Sequence, residues 1–325
     1  MKIQILELIE GAKRAEGLTV IIDVFRAFTT ECYCFDGGAL KCYPIGSMEE
    51  AFVLKNAHPD WVLLGERNGA KVAGCDLGNS PWDAMNYDFR GKTMIHSTSA
   101  GTQGIVNAAN ANASEIVTGS LVNARAVCDY IIARDPETVS LVAMGKAGVS
   151  STPEDLLAAR YMRWLLEREP DLGHTGLIRT KDDSDCVNDR PEEAGLSVCP
   201  EEIGDNAGGA GKAGLSEEPD TVRKYESEGR SSFDYGIGIR TDIVRNKLWF
   251  IEEKFDLKAE IAYLKDHGGE QFFDPALAHI FPREDYALCV AADRFDFVLR
   301  VETEGGHLVI RKVARRQAGN REIAR

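Results

Sequence analysis

The chain has 325 residues, 44% of them hydrophobic, and carries a net charge of -14 with a sequence pI near 5.0. That length buries a substantial core, the acid excess argues against nucleic-acid or anionic-membrane partners, and no stretch of about 18 apolar residues is available to cross a bilayer. The 8 Cys are scattered without a Cys-x-x-Cys pair, and the charged N-terminus "MKIQILELIEGAKRAEG" lacks the apolar centre of a secretory signal, so the reading is a cytoplasmic protein with reduced thiols; only Cys186 and Cys199 suggest a pairing.

From Lys2 to about Glu167, short β-rich runs alternate with helical patterns. The predicted strands are Lys2–Ile5, Leu18–Asp23, Leu40–Pro44, Trp61–Gly65, Thr93–Ser97, Glu115–Gly119 and Val139–Ala143. Between them, "SMEEAFVLKNA" opens on a Ser47/Glu50 capping box, and "NARAVCDYIIARD" opens on Asn123 as its cap. "TPEDLLAARYMRWLLE" has Thr152 as cap, Pro153 at its first position and acids in its first turn. This alternation predicts an α/β fold, layered α/β/α, around a mainly parallel or mixed sheet.

The composition changes after Pro170. Residues 173–235 hold 15 acidic and 7 basic side chains, a net of -8, with almost no apolar periodicity. An acidic, flexible insertion is expected there, at 171–235, between a main region at 1–170 and a C-terminal region at 236–313 that completes the fold. Asp242–His267 reads as one or two helices, "YALCVAADRFDFVLRV" as a helix end, a turn and a strand, and "HLVIRKV" as the last strand of a hairpin turning at "ETEGG". The tail at 314–325 is polar.

In parallel α/β sheets ligands gather beyond the carboxyl ends of the strands. Five such ends carry polar sequence here: Asp23 to Thr30, "GERNGAKVAGCDLGNSP", "HSTSAGTQG", "GSLVNAR" and "AMGKAGVSSTPED". Arg26, Arg67 and Lys146 suit anionic oxygens, and Ser97–Thr102 offers hydroxyls and amides ahead of a helix. Asp23, Glu66, Asp76, Glu154 and Asp155 supply hard oxygen ligands, and carboxylates beside arginines suit a phosphate with Mg²⁺. Simpler roles stay open for each. Asp23 can cap the helix near Ala27, Glu154 and Asp155 can answer a helix dipole, and Arg67 and Lys146 can be solvated charges. "DLGNSP" can be a turn, "STSAGT" a helix cap, and the His residues show no ligand spacing. Dinucleotide-binding, P-loop and nucleophile-elbow motifs do not occur in their required contexts.

Taken in order, "VIIDVFRAFTT", "GERNGAKVAGCDLGNSP", "STSAGTQ", "GSLVNARAV" and "AMGKAGVSSTPEDLLAARY" resemble the 2-phosphosulfolactate phosphatases, the ComB family, and "EDYALCVAADRFDFVLRV" resembles that family's C-terminal end. The resemblance implies an α/β fold, a homodimer, Mg²⁺ as cofactor, and hydrolysis of a small anionic phosphomonoester. It points to Asp23, Arg26 and Thr29, then Glu66 and Arg67, then Asp76, Asn79 and Ser80. It points further to Thr98, Gly101 and Thr102, to Asn123 and Gly145, and to the Glu154–Asp155 pair. Asp23, Arg26, Glu66, Arg67 and Asp76 are the expected catalytic residues, with Glu154, Asp155 and Asp23 on the metal. Thr29, Asn79, Ser80, Thr98, Gly101, Thr102, Asn123 and Lys146 are expected to bind substrate. Ala100 stands where the family usually has Asn, and this motivates a second reading as an anion-binding module without turnover.

Overall fold

The structure, a computed structural model, describes residues 1–168 and 255–314. The acidic segment, Cys186 and Cys199, and the tail beyond residue 314 lie outside the described residues. Ten strands and nine α-helices are defined among them. The strands are β1 (Lys2–Glu7), β2 (Glu16–Ile22), β3 (Lys41–Pro44), β4 (Val62–Arg67), β5 (Ala70–Lys71), β6 (Thr93–Ser97), β7 (Asn112–Gly119), β8 (Thr138–Ala143), β9 (Phe297–Glu304) and β10 (His307–Ala314). The helices are α1 (Leu8–Ala12), α2 (Ala27–Asp36), α3 (Met48–Ala57), α4 (Pro81–Met85), α5 (Gly101–Ala109), α6 (Ala124–Arg134), α7 (Pro153–Arg168), α8 (Leu257–Leu264) and α9 (Arg283–Cys289).

Local sequence explains three of the helix starts directly. Ser47 accepts the Glu50 amide, Asp256 accepts the Ala259 amide, and Ser80 accepts the Asp83 amide ahead of Pro81. Asn123 departs from expectation: its side chain does not cap α6 but accepts the Ser120 amide and donates to the Thr118 carbonyl. Of the predicted Asp242–His267 helices, the described part is α8. No described helix is long and apolar enough to cross a membrane.

The sheet order is β1-β8-β2-β7-β9-β10-β3-β6-β4-β5. Two parallel blocks, β1-β8-β2-β7 and β3-β6-β4, are joined by the β9–β10 hairpin, which is antiparallel to both. Alternation along β2 shows the layers. Leu18, Val20 and Ile22 pack with α6 and α7 residues such as Val127, Leu157 and Met162. Ile21 packs on the other face with Phe28 of α2 and Ile105 of α5. The α/β/α expectation therefore holds, with a mixed sheet.

The functional strand ends do not share one edge of one parallel sheet. Three successive antiparallel pairings give the two blocks opposite nominal senses, and β10 meets β3 at one residue pair, Ile310 and Cys42. Strand twist of about 20–25° per neighbour accumulates to roughly 100–125° over the five steps from β2 to β6. That rotation lets ends of both blocks face a common corner. Gly101, after β6, lies so close to the end of β2 that a Cβ built on it would stand 3.0 Å from Asp23 Oδ2 and 2.9 Å from the Phe28 ring.

Close packing of helix on sheet gives a direct check. A Cβ on Gly104 of α5 would meet Met144 Sδ at 2.5 Å and Ile21 Cγ2 at 2.7 Å. Alanine gains about 1 kcal/mol of helix propensity over glycine, but overpacking costs about 1–3 kcal/mol, so Gly104→Ala is expected to lower stability in urea unfolding. A stabilised variant would show that α5 can retreat from the sheet.

Candidate active site

The end of β2 supplies the first acid. Asp23 Oδ1 accepts the Ala27 amide at 3.1 Å, so this residue does cap α2 with one oxygen, while Oδ2 faces Gly101. Asp155, in the first turn of α7, uses both oxygens: Oδ1 accepts the Val24 amide and Oδ2 the Gly145 amide, each at 2.7 Å. One carboxylate thus fixes the chain just beyond β2 and just beyond β8. Its neighbour Glu154 is also buried, but its Oε2 has no hydrogen-bond partner.

These acids crowd one another. Burial holds Asp23 well above the usual carboxylate range, and the Asp155 and Glu66 charges push it further; the Ala27 amide and His96 oppose the shift. Burial and then Glu154 raise Asp155, against the pull of the Val24, Gly145 and Met144 amides. Burial raises Glu154 from 4.5 to about 7, with the Asp23 and Glu270 charges adding to it. A cluster of oxygen ligands that resists ionisation by itself is chemically suited to a hard divalent cation. The ligand oxygens of Asp23, Glu154 and Asp155 are nevertheless not drawn into one group within 4.8 Å.

The basic side chains divide into two roles. Arg26, expected at the site, is turned into the protein. Its Nη1 donates to Asp285 Oδ2 at 2.7 Å and to the Ile280 carbonyl at 2.8 Å, and Nη2 donates to the Gly69 carbonyl at 2.6 Å. The guanidinium also lies 4.6 Å from the Phe281 ring centroid. Asp285, fully buried, accepts the Ser80 hydroxyl and the Trp82 amide on its other oxygen. Arg26 and Ser80 are therefore structural partners of one buried carboxylate, and Arg26 is not placed to hold a substrate anion. Arg67 differs: it donates to the carbonyls of Glu66, Ser97 and Gly46 and to the Ser97 hydroxyl, and among the described residues it pairs with no carboxylate. It lies beside the loop that leads to Gly101, and the acid its charge is felt by is Glu49, with which it forms no ion pair. Lys146 is exposed in the loop after β8.

Glu66 organises that loop, accepting the Gly69 amide and the Ser99 hydroxyl on Oε1 and the Ser99 amide on Oε2. Thr98 and Thr102 close on each other, Thr102 Oγ1 accepting the Thr98 amide and Thr98 Oγ1 the Thr102 amide, both at 3.1 Å. The cap reading of this segment is right for these two threonines. Ala100, at the cap position of α5, offers no side-chain bond. Thr29 donates to the Val24 carbonyl and touches the Ser120 hydroxyl at 2.6 Å, so it shapes the loop after β2 from within. Asn79 is buried with Oδ1 unpartnered. Asp76 is elsewhere: its Oδ2 takes Lys55 Nζ at 2.8 Å and the Leu63 amide at 2.7 Å, near the start of β4 rather than its end.

The structure thus brings Asp23, Glu66, Gly101, Glu154 and Asp155 together, with Arg67 flanking them. Arg26, Thr29, Ser80 and Asn123 lie behind as supports, and Asp76 is apart. Sequence reasoning missed Asp285, although it sits inside the quoted "EDYALC" motif, and missed Glu270, whose charge reaches Glu154.

This division of labour is testable. Arg26→Ala strands Asp285 as a buried, unpaired charge and is expected to cost about 3–5 kcal/mol of stability. Arg67→Ala should move the urea midpoint far less, and equal losses in the two variants would refute the assignment.

Comparison with known proteins identifies the family. Residues 3–185 match the family model for 2-phosphosulpholactate phosphatase. The chain is 40% identical over 170 residues to a probable 2-phosphosulfolactate phosphatase of Carboxydothermus hydrogenoformans, covering 52% of this chain and 69% of that one. It is 33% identical over 153 residues to the corresponding Bacillus subtilis protein, covering 46% and 64%. It is 35% identical over 151 residues to that of Synechocystis, covering 46% and 62%. The chain belongs to the 2-phosphosulfolactate phosphatase family, a family of phosphoric monoester hydrolases.

Proposed function

We propose that the chain hydrolyses 2-phosphosulfolactate, or a closely related phosphorylated hydroxy acid, to the alcohol and phosphate in a Mg²⁺-dependent reaction. The observation that carries this reading is the buried carboxylate group of Asp23, Glu154 and Asp155, with Arg67 nearby and in no ion pair among the described residues. Its donors fit Mg²⁺: they are hard oxygens, and the buried Oε2 of Glu154 lacks any partner. Glu154 and Asp23 would hold the ion, with Asp155 behind them. When bound, the ion supplies charge neutralisation for the phosphoryl oxygens and a more acidic water.

The remaining work falls to the chain's own side chains. Arg67 grips phosphate or the substrate's second acidic group, and its fixed bonds to Ser97 and Glu66 hold the guanidinium in place. Glu66 fixes Ser99 and so the loop that lies over Asp23. Asp155 keeps the Val24 and Gly145 backbone in register, so the ends of β2 and β8 stay a set distance apart. Asp23 Oδ1 is tied to the Ala27 amide, which leaves Oδ2, beside Gly101, as the oxygen available to the ion. Phosphoryl transfer asks mainly for such positioning and charge balance.

The second reading, an anion-binding module without turnover, rests on Ala100, which gives the α5 cap no side-chain donor. A phosphate-release assay on 2-phosphosulfolactate and a panel of phosphorylated hydroxy acids decides between them. Release that requires Mg²⁺ and stops with EDTA is expected; binding without release on every substrate would favour the module. Arg67→Ala is expected to lower kcat/KM by about 10²-fold or more, as for loss of one charge-stabilising donor.

Glu154 also sets a pH dependence. Its folded pKa, about 7, lies above its ordinary 4.5, so the folded EDTA-treated protein binds its proton more tightly than the unfolded chain. The stability this gives is complete below 4.5 and is lost as pH rises through about 7. The melting temperature of EDTA-treated protein should fall across that window. Glu154→Gln should flatten the fall, and Mg²⁺ should raise the melting temperature most at the alkaline end.

A further inference from the structure

A second group of ligating side chains lies in the core between α2, β3 and β6, outside the acid cluster. Glu31 comes from α2, Cys42 from β3 and His96 from β6, and all three are fully buried. β3 pairs with β6 in the register Cys42–Met94 and Pro44–His96, so Cys42 and His96 sit two residues apart diagonally and project to the same face. Cys42 and Met94 pack in the core cluster that contains the α2 residues Phe28, Cys32 and Phe35. Glu31 reaches the pair from that helix. Its Oε1 lies 2.8 Å from His96 Nδ1 and 4.0 Å from Cys42 Sγ. One nitrogen, one sulfur and one oxygen thus lie within 4.8 Å of one another, the one such trio among the described residues.

The trio is incompletely satisfied as it stands. Glu31 Oε2 and His96 Nε2 are both buried without a hydrogen-bond partner. Buried polar atoms are normally paired, and an ion pair in an apolar core costs more in desolvation than its attraction returns unless the remaining lone pairs are met. A sulfur, an imidazole nitrogen and a carboxylate oxygen form a donor set suited to Zn²⁺ and unsuited to Mg²⁺, which takes oxygen ligands. With a thiolate, a carboxylate and a neutral imidazole, a divalent ion gives a site of zero net charge, the state least costly to bury.

We propose that Glu31, Cys42 and His96 form a structural site for a thiophilic divalent cation of the zinc class, separate from the Asp23–Glu154 acid cluster. Three protein ligands leave one tetrahedral position for a small fourth ligand. Loading releases the Cys42 thiol proton to solvent, and also the His96 ring proton where the imidazole is charged; no redox change is involved. Because the three residues are buried, the ion enters while the chain folds. The site would pin α2 to β3 and β6, and α2 is the helix that Asp23 caps.

Cobalt is the direct probe. The full chain is expressed with Co²⁺ in the medium, dialysed, and examined for metal content and absorption. Expected are one Co²⁺ per chain resistant to dialysis and a thiolate-to-cobalt charge-transfer band. Cys42→Ser should lose the band, and the Cys186→Ser/Cys199→Ser double variant should keep it. A wild-type protein without the band, or a band that survives Cys42→Ser, overturns the proposal. Should Cys42→Ser fail to fold, X-ray absorption of the zinc-loaded wild type decides: one sulfur with nitrogen and oxygen neighbours is expected, and none or more than one overturns it. Mg²⁺-dependent phosphate release is a separate readout, so its failure would leave this result unchanged.

Discussion

The structure depends on one buried ion pair that joins remote parts of the chain. Arg26 and Asp285 meet at 2.7 Å with almost no solvent around either side chain. Through them, the segment after β2 is held to the Gly69 carbonyl in the turn after β4, to the Ile280 carbonyl, and through Asp285 to the start of α4 at Ser80 and Trp82. Burial still raises the pKa of Asp285 despite Arg26 and these hydrogen bonds, so the pair is a costly way to gain stability. What it supplies is position. A charge that can be satisfied in only one arrangement fixes how the ends of two strand blocks face each other, and the acid cluster lies at that meeting point.

That constraint also reconciles the overall charge with an anionic substrate. The chain carries a net charge of -14, of which -8 falls in residues 173–235. Near the cluster, Arg26 is consumed internally while Arg67 is bonded only to neutral groups. The fold thus commits one arginine to a buried carboxylate and leaves the other bonded to carbonyls and a hydroxyl. The same economy holds for the acids: Asp155 gives both oxygens to backbone amides, and Glu154 beside it leaves one oxygen unclaimed. Adjacent residues with the same chemistry take opposite duties because one faces the chain and the other faces the cluster.

Much of this was legible in the sequence. Thr93–Ser97 is a strand with the predicted limits, the Ser47 start is read correctly, and the hairpin turns at Gly305–Gly306 as "ETEGG" suggests. Local patterns carry that information because caps, turns and periodicity act over a few residues. The duties of Arg26 and Asp76 were not legible. Each is decided by a partner whose distance in space has no signature in local sequence: Asp285 for Arg26, Lys55 and the Leu63 amide for Asp76. The opposed sense of the two strand blocks was hidden for the same reason, since a hairpin from the far end of the sequence separates them.

The position of that hairpin has a consequence for how the molecule is made. β9 and β10 fill the middle of the sheet, so until residues 297–314 have been synthesised β7 and β3 each end in an unpaired edge. Open edges of this kind invite pairing with other chains, and joins between such distant residues are slow to form. A nascent chain on the ribosome would therefore carry two half-sheets that can wait but cannot yet close, and its dependence on chaperones should be concentrated in the interval before the last strand emerges.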